Sequence, residues 1–331
     1  MASRLAVTFR DCFVVVLVVL LAVASLFIYR MIFRPIPIQT NAAIIHIDKS
    51  TTARSLLRMM HDRGWIGSVS VWSRLLQIQG LSSKLKAGTY QILPNESVLH
   101  LLRRIVAGDV LRERFLIRPG TTLAQVRQDM SAAPYLEYTE TDWSDLESQH
   151  SVLEGLLLAD TYVYEAGTSA RTLIVQAHDH LQSVLEHAWQ DRLAALPYLK
   201  SYDALIVASI LEKEAAVPAE RRLISGVIVN RLRQHIPLQM DPTVIYALGP
   251  SYQGSLHHAQ MDIDSPYNTY RHRGLPPTPI AMVTADSIDA ACHPEMSDYL
   301  YFVAKGDGTH VFTSNYQAHR AAIKKYMRKA T

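Results

Sequence analysis

From Cys12 to Tyr29 the sequence carries no charge, and Met31, Ile32 and Phe33 extend the apolar run past Arg30. A segment of this length and composition can cross a hydrocarbon core of about 30 Å as one helix. The rival reading is a cleaved signal peptide, since Ala22-Val23-Ala24 is a small-x-small site, but the apolar run continues through Ser25 to Tyr29 beyond it. The reading is therefore an anchor over 12–33 with a short segment, 1–11, before it. Arg4 and Arg10 precede the run while Arg30 and Arg34 follow it, so basic residues do not decide its orientation.

Past the Pro35-Ile36-Pro37 linker, the remainder of the 331 residues is long enough for a small domain and a larger one. The first unit, 43–118, reads as a small α/β module. It has a short strand at Ala43–Ile47, a helix capped by Ser50 or Thr51 that carries Leu56, Leu57 and Met60, and a second helix with Val71, Leu75 and Leu76. A strand over Lys86–Leu93 and an amphipathic helix from Val98 to Ile105, closed by Gly108, complete it. The second unit, 119–331, reads as helix-rich. Loops are expected from Pro134 to Gly167, then helices at about 170–190, 201–215 and 218–234, a hairpin around Gly306-Asp307-Gly308 and a final helix from Ala318. The fold class is α+β.

Composition excludes some functions. A net charge of +3, with basic residues spread along the chain, leaves no stripe for nucleic acid. Two cysteines, Cys12 and Cys292, cannot build a disulfide framework or a cysteine zinc site. His257-His258 and His272 lack acidic partners at ligand spacing, so no metal and no cofactor is expected.

The informative stretch is Ala208–Ala216, the end of a predicted helix with Glu212 and Glu214 two positions apart. At about 100° per residue the two carboxylates point to different sides. Glu214 shares its face with Val207, Ile210 and Leu211, whereas Glu212 lies above Ala208 and Leu205. A carboxyl held against apolar groups keeps its proton to higher pH, as a general acid requires; the bland alternative is a solvated helix end.

Glu212-Lys213-Glu214, Glu220-Arg221, Asn230-Arg231-Leu232 and Leu238–Tyr246 follow one another in a distinctive order, with Ser265–Tyr270, Gly274–Pro277, Tyr299–Val303 and a Gly-Asp-Gly-x-His run ending at His310. The set resembles the endolytic murein transglycosylase (YceG-like, MltG) family, and Lys86–Tyr90, Glu154-Gly155 and Asp160–Tyr162 carry the resemblance over nearly the whole chain. The resemblance implies a LysM-like module, a lysozyme-like catalytic domain, and one anchor in the cytoplasmic (inner) membrane with the bulk on the external or periplasmic side. Its catalytic glutamate falls on Glu214. The implied reaction is cleavage between MurNAc and GlcNAc within nascent peptidoglycan strands: Glu214 protonates the leaving oxygen, then takes the proton of the sugar's 6-hydroxyl, leaving a 1,6-anhydro end. Wall synthases are implied as neighbours.

Around such a centre, Asn230 and Gln239 offer amides for sugar hydroxyls and acetamido groups, and Tyr246, Tyr267 and Tyr270 offer flat faces, although each tyrosine has a core reading. Asn268 is either a ligand or a loop brace. Asp241 is either a site wall or the N-cap before Pro242. The sequence departs from the family at Ala215, where Thr or Ser is usual, at Thr278, at Val283-Thr284-Ala285 and at Ala159. Those departures leave a second reading open, a non-catalytic peptidoglycan-binding membrane scaffold that recruits wall synthases.

Overall fold

The computed structural model describes residues 9–38, 43–215 and 217–326. Arg4 and most of the expected segment 1–11 lie outside the described residues. The chain divides into two compact units, Met1–Glu113 with Glu165–Gly167, and Arg114–Tyr164 with Thr168–Thr331.

The first unit opens with α1 (Phe9–Phe33), whose stretch Phe13–Phe33 is long and apolar enough to cross a membrane and is exposed up to its last turn, where Ile32 packs against the unit's core. Strand β1 (Ile44–Ile47) leads to α2 (Ala53–Asp62), α3 (Val69–Ile78), β2 (Gly88–Gln91) and α4 (Val98–Ala107). The two strands pair antiparallel, with Ile45 opposite Tyr90. Three helices cover them, burying Leu57, Met60, Trp72, Leu76 and Leu102 in one core. The cap of α2 is Thr52 rather than Ser50 or Thr51, because its hydroxyl and the Ser55 side chain close a reciprocal box. On α3 the inward stripe is Trp72 and Leu76, and Val71 is exposed. Gly108 ends α4 at φ 77°, a left-handed turn that glycine adopts without strain.

The second unit runs β3 (Arg112–Leu116), α5 (Leu123–Ser131), β4 (Leu136–Glu137), α6 (Ser144–Gln149), β5 (Thr161–Glu165), β6 (Thr168–Ser169), α7 (Ala170–Gln190), α8 (Ser201–Glu214), α9 (Arg221–Arg233), α10 (Asp241–Leu248), α11 (Ala285–Cys292), β7 (Tyr301–Ala304), β8 (His310–Thr313) and α12 (Tyr316–Tyr326). Strand β3 pairs with β5, β4 with β6, and β7 with β8. The span from Pro134 to Gly167 is therefore not loop alone: it holds β4, α6 and β5.

Helix α8 is the axis of this unit. Every residue from Ala204 to Leu211 is buried, which is why its sequence shows little amphipathic contrast. Helices α7, α9 and α11 pack around it. Its one polar residue in that stretch, Ser209, is satisfied: the hydroxyl donates to the Ile206 carbonyl at 2.7 Å and accepts from the Ile280 N–H at 3.0 Å.

Candidate active site

Helix α8 ends at Glu214 because Ala215 leaves helical geometry at ψ 90°, and a 3-10 turn restarts the chain at Pro218. Its last turn presents two carboxylates in opposite circumstances. Glu212 accepts hydrogen bonds from the Thr284 N–H at 2.9 Å, the Thr284 hydroxyl at 2.7 Å and the Ser287 hydroxyl at 2.6 Å. Arg221 stands 3.6 Å away, and the Glu212 side chain is 5% exposed. Thr284 is the N-cap of α11, so Glu212 ties the start of that helix to the end of α8. The sequence departure at Val283-Thr284-Ala285 thus falls on a residue with two structural duties.

Glu214, by contrast, has no hydrogen bond or ion pair among the described residues. It opens into a cleft of about 380 Å³ that Arg231, Gln239, Asp241, Tyr270 and Tyr301 also line. Burial pushes its carboxyl up to about 7, and the nearby Asp241 carboxylate adds to the shift. Tyr270 donates its hydroxyl to Asp241 Oδ1 at 2.5 Å. Burial, Asp241 and Glu214 together push the Tyr270 phenol upward, so it keeps its proton.

The wall opposite α8 is built from sharply turned chain. Gln239 has φ 53°, a left-handed conformation rare for a side chain of its kind, and its N–H donates to the Thr269 carbonyl at 3.1 Å. The next N–H, of Met240, donates to the Thr269 hydroxyl at 3.0 Å. Asp241 is the first residue of α10, and Met240 is its N-cap. Of the two roles open to Asp241, capping is not the one it takes: it stands at the cleft, and its carboxylate accepts from Tyr270.

Of the residues expected around Glu214, the structure brings Gln239, Asp241 and Tyr270 to the cleft. Four others are elsewhere. Asn230 donates its amide to the Ser297 carbonyl at 2.8 Å and the Tyr299 carbonyl at 3.0 Å, fixing the approach to β7. Asn268 is fully buried and braces its loop, donating to the Met261 and Ile263 carbonyls at 2.8 and 2.9 Å while accepting from the Tyr270 N–H at 3.0 Å. Tyr246 and Tyr267 pack ring to ring at 4.9 Å, with their hydroxyls on Glu154 and Thr278. These are core duties, imposed by the neighbours that each polar tip finds. Among the described residues, no group of three or more His, Cys, Asp or Glu is placed to hold a metal ion.

The cleft also contains residues that had drawn no role. Arg231 on α9 is 6% exposed. Tyr301 on β7, His310 on β8 and His319 on α12 complete that side. His310 Nδ1 lies 2.7 Å from Glu220 Oε2, and its N–H donates to Glu220 Oε1 at 3.0 Å, which pins the hairpin to the turn before α9. A signal for Arg231 was present: it continues the buried stripe of Ile224, Val227 and Ile228 at helical spacing, a place where an unpaired cation is unusual.

The model of the YceG-like family matches residues 45–325. The chain belongs to the YceG-like family. Among relatives of this YceG-like chain, the endolytic murein transglycosylase of Bacillus subtilis strain 168 is 35% identical over 198 residues, covering 58% of this chain and 53% of that protein. The endolytic murein transglycosylase of Streptococcus pneumoniae strain R6 is 31% identical over 269 residues, 70% of this chain and 49% of that protein. The match spans about half the length of these relatives. A crystal structure of a yceG-like protein from Listeria monocytogenes superposes with a TM-score of 0.54 at 27% identity, covering 85% of this chain and 98% of that one.

Proposed function

We propose that this YceG-like chain is a membrane-anchored endolytic lytic transglycosylase of peptidoglycan, with Glu214 as its acid and then its base. The observation that carries the proposal is the state of Glu214: desolvated, free of structural ties and open to a cleft of about 380 Å³. A carboxyl held near pH 7 is matched to giving and retrieving a proton under neutral conditions. The names of the Bacillus and Streptococcus relatives support the same chemistry.

In this mechanism a glycan strand lies in the cleft with a MurNAc–GlcNAc bond at Glu214. The carboxylic acid protonates the leaving glycosidic oxygen as the C1–O bond breaks, and positive charge develops on the muramic ring. The carboxylate so formed accepts the proton of the ring's own 6-hydroxyl, whose oxygen closes on C1 as the 1,6-anhydro end. No water attacks, so a single acid/base carboxyl suffices. Asp241 raises the affinity of Glu214 for its proton and offers negative charge to the oxocarbenium-like centre. Tyr270 fixes Asp241 through its hydroxyl.

The second unit then serves as the lysozyme-like catalytic domain, and the module within 43–118 as a LysM-like glycan contact. Helix α1 serves as the single-pass anchor in the cytoplasmic membrane. It tethers the catalytic unit on the external side, where new strands and the synthases that make them are found.

The test is product chemistry on purified peptidoglycan. The wild type is expected to release fragments ending in 1,6-anhydroMurNAc, identified by mass spectrometry. Fragments with reducing ends alone would replace the lytic assignment with a hydrolase, and retention of glycan without any cleavage would favour the scaffold reading.

A further inference from the structure

We propose that Arg231 and His319 form an anion subsite in the Glu214 cleft that takes a carboxylate of the substrate; the inference rests on the glycan-cleaving reading of that cleft. The starting point is a buried cation without a counter-charge. Arg231 Nε donates to the Leu300 carbonyl at 2.6 Å, and Nη1 donates to the carbonyls of Pro237 and Leu238 at 3.0 and 2.8 Å and to Gln239 Oε1 at 3.2 Å. These acceptors fix the guanidinium in one orientation but none of them neutralises it. Among the described residues Arg231 has no carboxylate partner, and Nη2 makes no hydrogen bond. Nη2 is also absent from the buried unpartnered atoms, so it retains access to the cleft that its residue lines.

A guanidinium taken out of water normally has a carboxylate or phosphate beside it, because the desolvation it suffers is otherwise uncompensated. Here the surroundings offer aromatic faces instead of a counter-charge, and burial together with Arg231 pushes the His319 imidazole toward its neutral form. Arg231 lies over the Tyr301 ring at 5.0 Å, and Tyr301 stacks on His319 at 5.0 Å and 21°. His319 lines the same cleft, and although its Nδ1 is enclosed, its Nε2, like Arg231 Nη2, makes no hydrogen bond among the described residues and is not one of the enclosed atoms. The Asp241 carboxylate, which also lines the cleft, is taken up by Tyr270 and forms no ion pair with Arg231 among the described residues. A ligand anion is therefore directed to the Tyr301–His319 wall. An immobilised N–H donor pair beside an aromatic wall suits a planar carboxylate carried on a sugar.

In a peptidoglycan strand a carboxylate comes from one of two sources. A muramic residue without its peptide carries a free lactyl carboxylate. A residue with its peptide has that group tied up as an amide, and carboxylates occur only along the stem. Whichever source the subsite reads, Arg231 would make the cleft discriminate between bare and peptide-bearing strands.

The experiment measures binding without turnover, using the full chain in detergent micelles with Glu214→Gln. Four probes are compared: bare GlcNAc–MurNAc oligomers and peptide-bearing oligomers, each with carboxyls free or converted to amides. Amidation is expected to weaken binding about tenfold, the loss of one charge-assisted hydrogen bond. A penalty in the bare pair identifies the lactyl group, and a penalty only in the peptide-bearing pair identifies the stem. Adding Arg231→Gln should abolish the penalty, so that free and amidated oligomers bind alike. If that variant does not fold, Arg231→Lys keeps a charge but loses the second arm, and should shrink the penalty to about threefold or less. Equal binding of free and amidated oligomers in both pairs, or a penalty that survives substitution of Arg231, overturns the subsite alone. Failure of every oligomer to bind overturns the glycan reading together with it.

Discussion

Two sides of one helical turn teach what separates a carboxylate tied into the fold from one left open to a cleft. Glu212 and Glu214 are two residues apart on α8, and both leave water. On the Glu212 side the space is filled by donors: Thr284, Ser287 and Arg221 surround the carboxylate and convert its charge into a tie between α8 and α11. On the Glu214 side the space is a cleft with apolar helix behind it and a second carboxylate, Asp241, nearby, so the proton is retained up to about pH 7. Burial alone does not mark an acid. What decides is whether the protein supplies hydrogen bonds to the charged form.

Substitution should pull the two residues apart. The largest expected effect is on turnover: Glu214→Gln should lower the rate of strand cleavage by roughly 10³-fold or more, the scale of a general acid in its reaction. Glu212→Ala should act on stability instead, costing about 3 kcal/mol in denaturant unfolding, because Arg221 and two hydroxyls lose their buried acceptor. A stable Glu212→Ala protein, or a Glu214→Gln protein of wild-type rate, would break the comparison.

Acidity gives a subtler contrast. The folded chain holds the Glu214 proton more tightly than the unfolded chain, raising its affinity from the ordinary carboxylate range to about 7. Stability from this group is fully present below about pH 4 and declines as pH rises toward 7, since the unfolded state then releases the proton first. Glu214→Gln removes that decline. At pH 8 it should therefore be more stable than the wild type by about 3 kcal/mol, an advantage that vanishes in thermal melts at pH 4. Cleavage by the wild type should fall as pH passes about 7. In Asp241→Asn that limb should move down by roughly half a pH unit, a small shift because burial outranks Asp241 as its cause. The smallest effect expected is that of Ala215→Thr, a change in rate of about threefold or less, because the Glu214 environment is set by α8 and the cleft. A gain of 100-fold would show the natural site to be compromised.

Much of this was legible in the chain. The helix ending at Gly108, the hairpin around Gly306-Asp307-Gly308 and the long helix α7 each carry a pattern with a clear stop, whereas α8, buried on every side, shows little amphipathic contrast. The segment from Pro134 to Gly167 carries no such pattern, since a six-residue helix and a two-residue strand are too short to show any period. In the site, helical geometry shows that Glu212 and Glu214 point to different sides, but the donors that set them apart, Thr284 and Ser287, lie far along the chain. The fates of Asn230, Asn268, Tyr246 and Tyr267 were not legible either. Asn230 and Tyr246 meet partners tens of residues away, Tyr299 and Glu154, while Asn268 and Tyr267 find theirs within the irregular chain around them, so only the folded chain chooses between cleft and core. For Arg231 the buried stripe of α9 carried a signal, but the carbonyls that hold it, from Leu300 and from Pro237-Leu238, were not legible.

The central claim is that Glu214 is a neutral acid in its resting state. The direct measurement is infrared difference spectroscopy of the wild type against Glu214→Gln across pH 4 to 9. A protonated-carboxyl band that is missing from the variant and titrates near pH 7 is the result expected from its burial. A Glu214 carboxyl already ionised at pH 5 would contradict the account, because no acid would then be present to protonate the glycosidic oxygen at neutral pH.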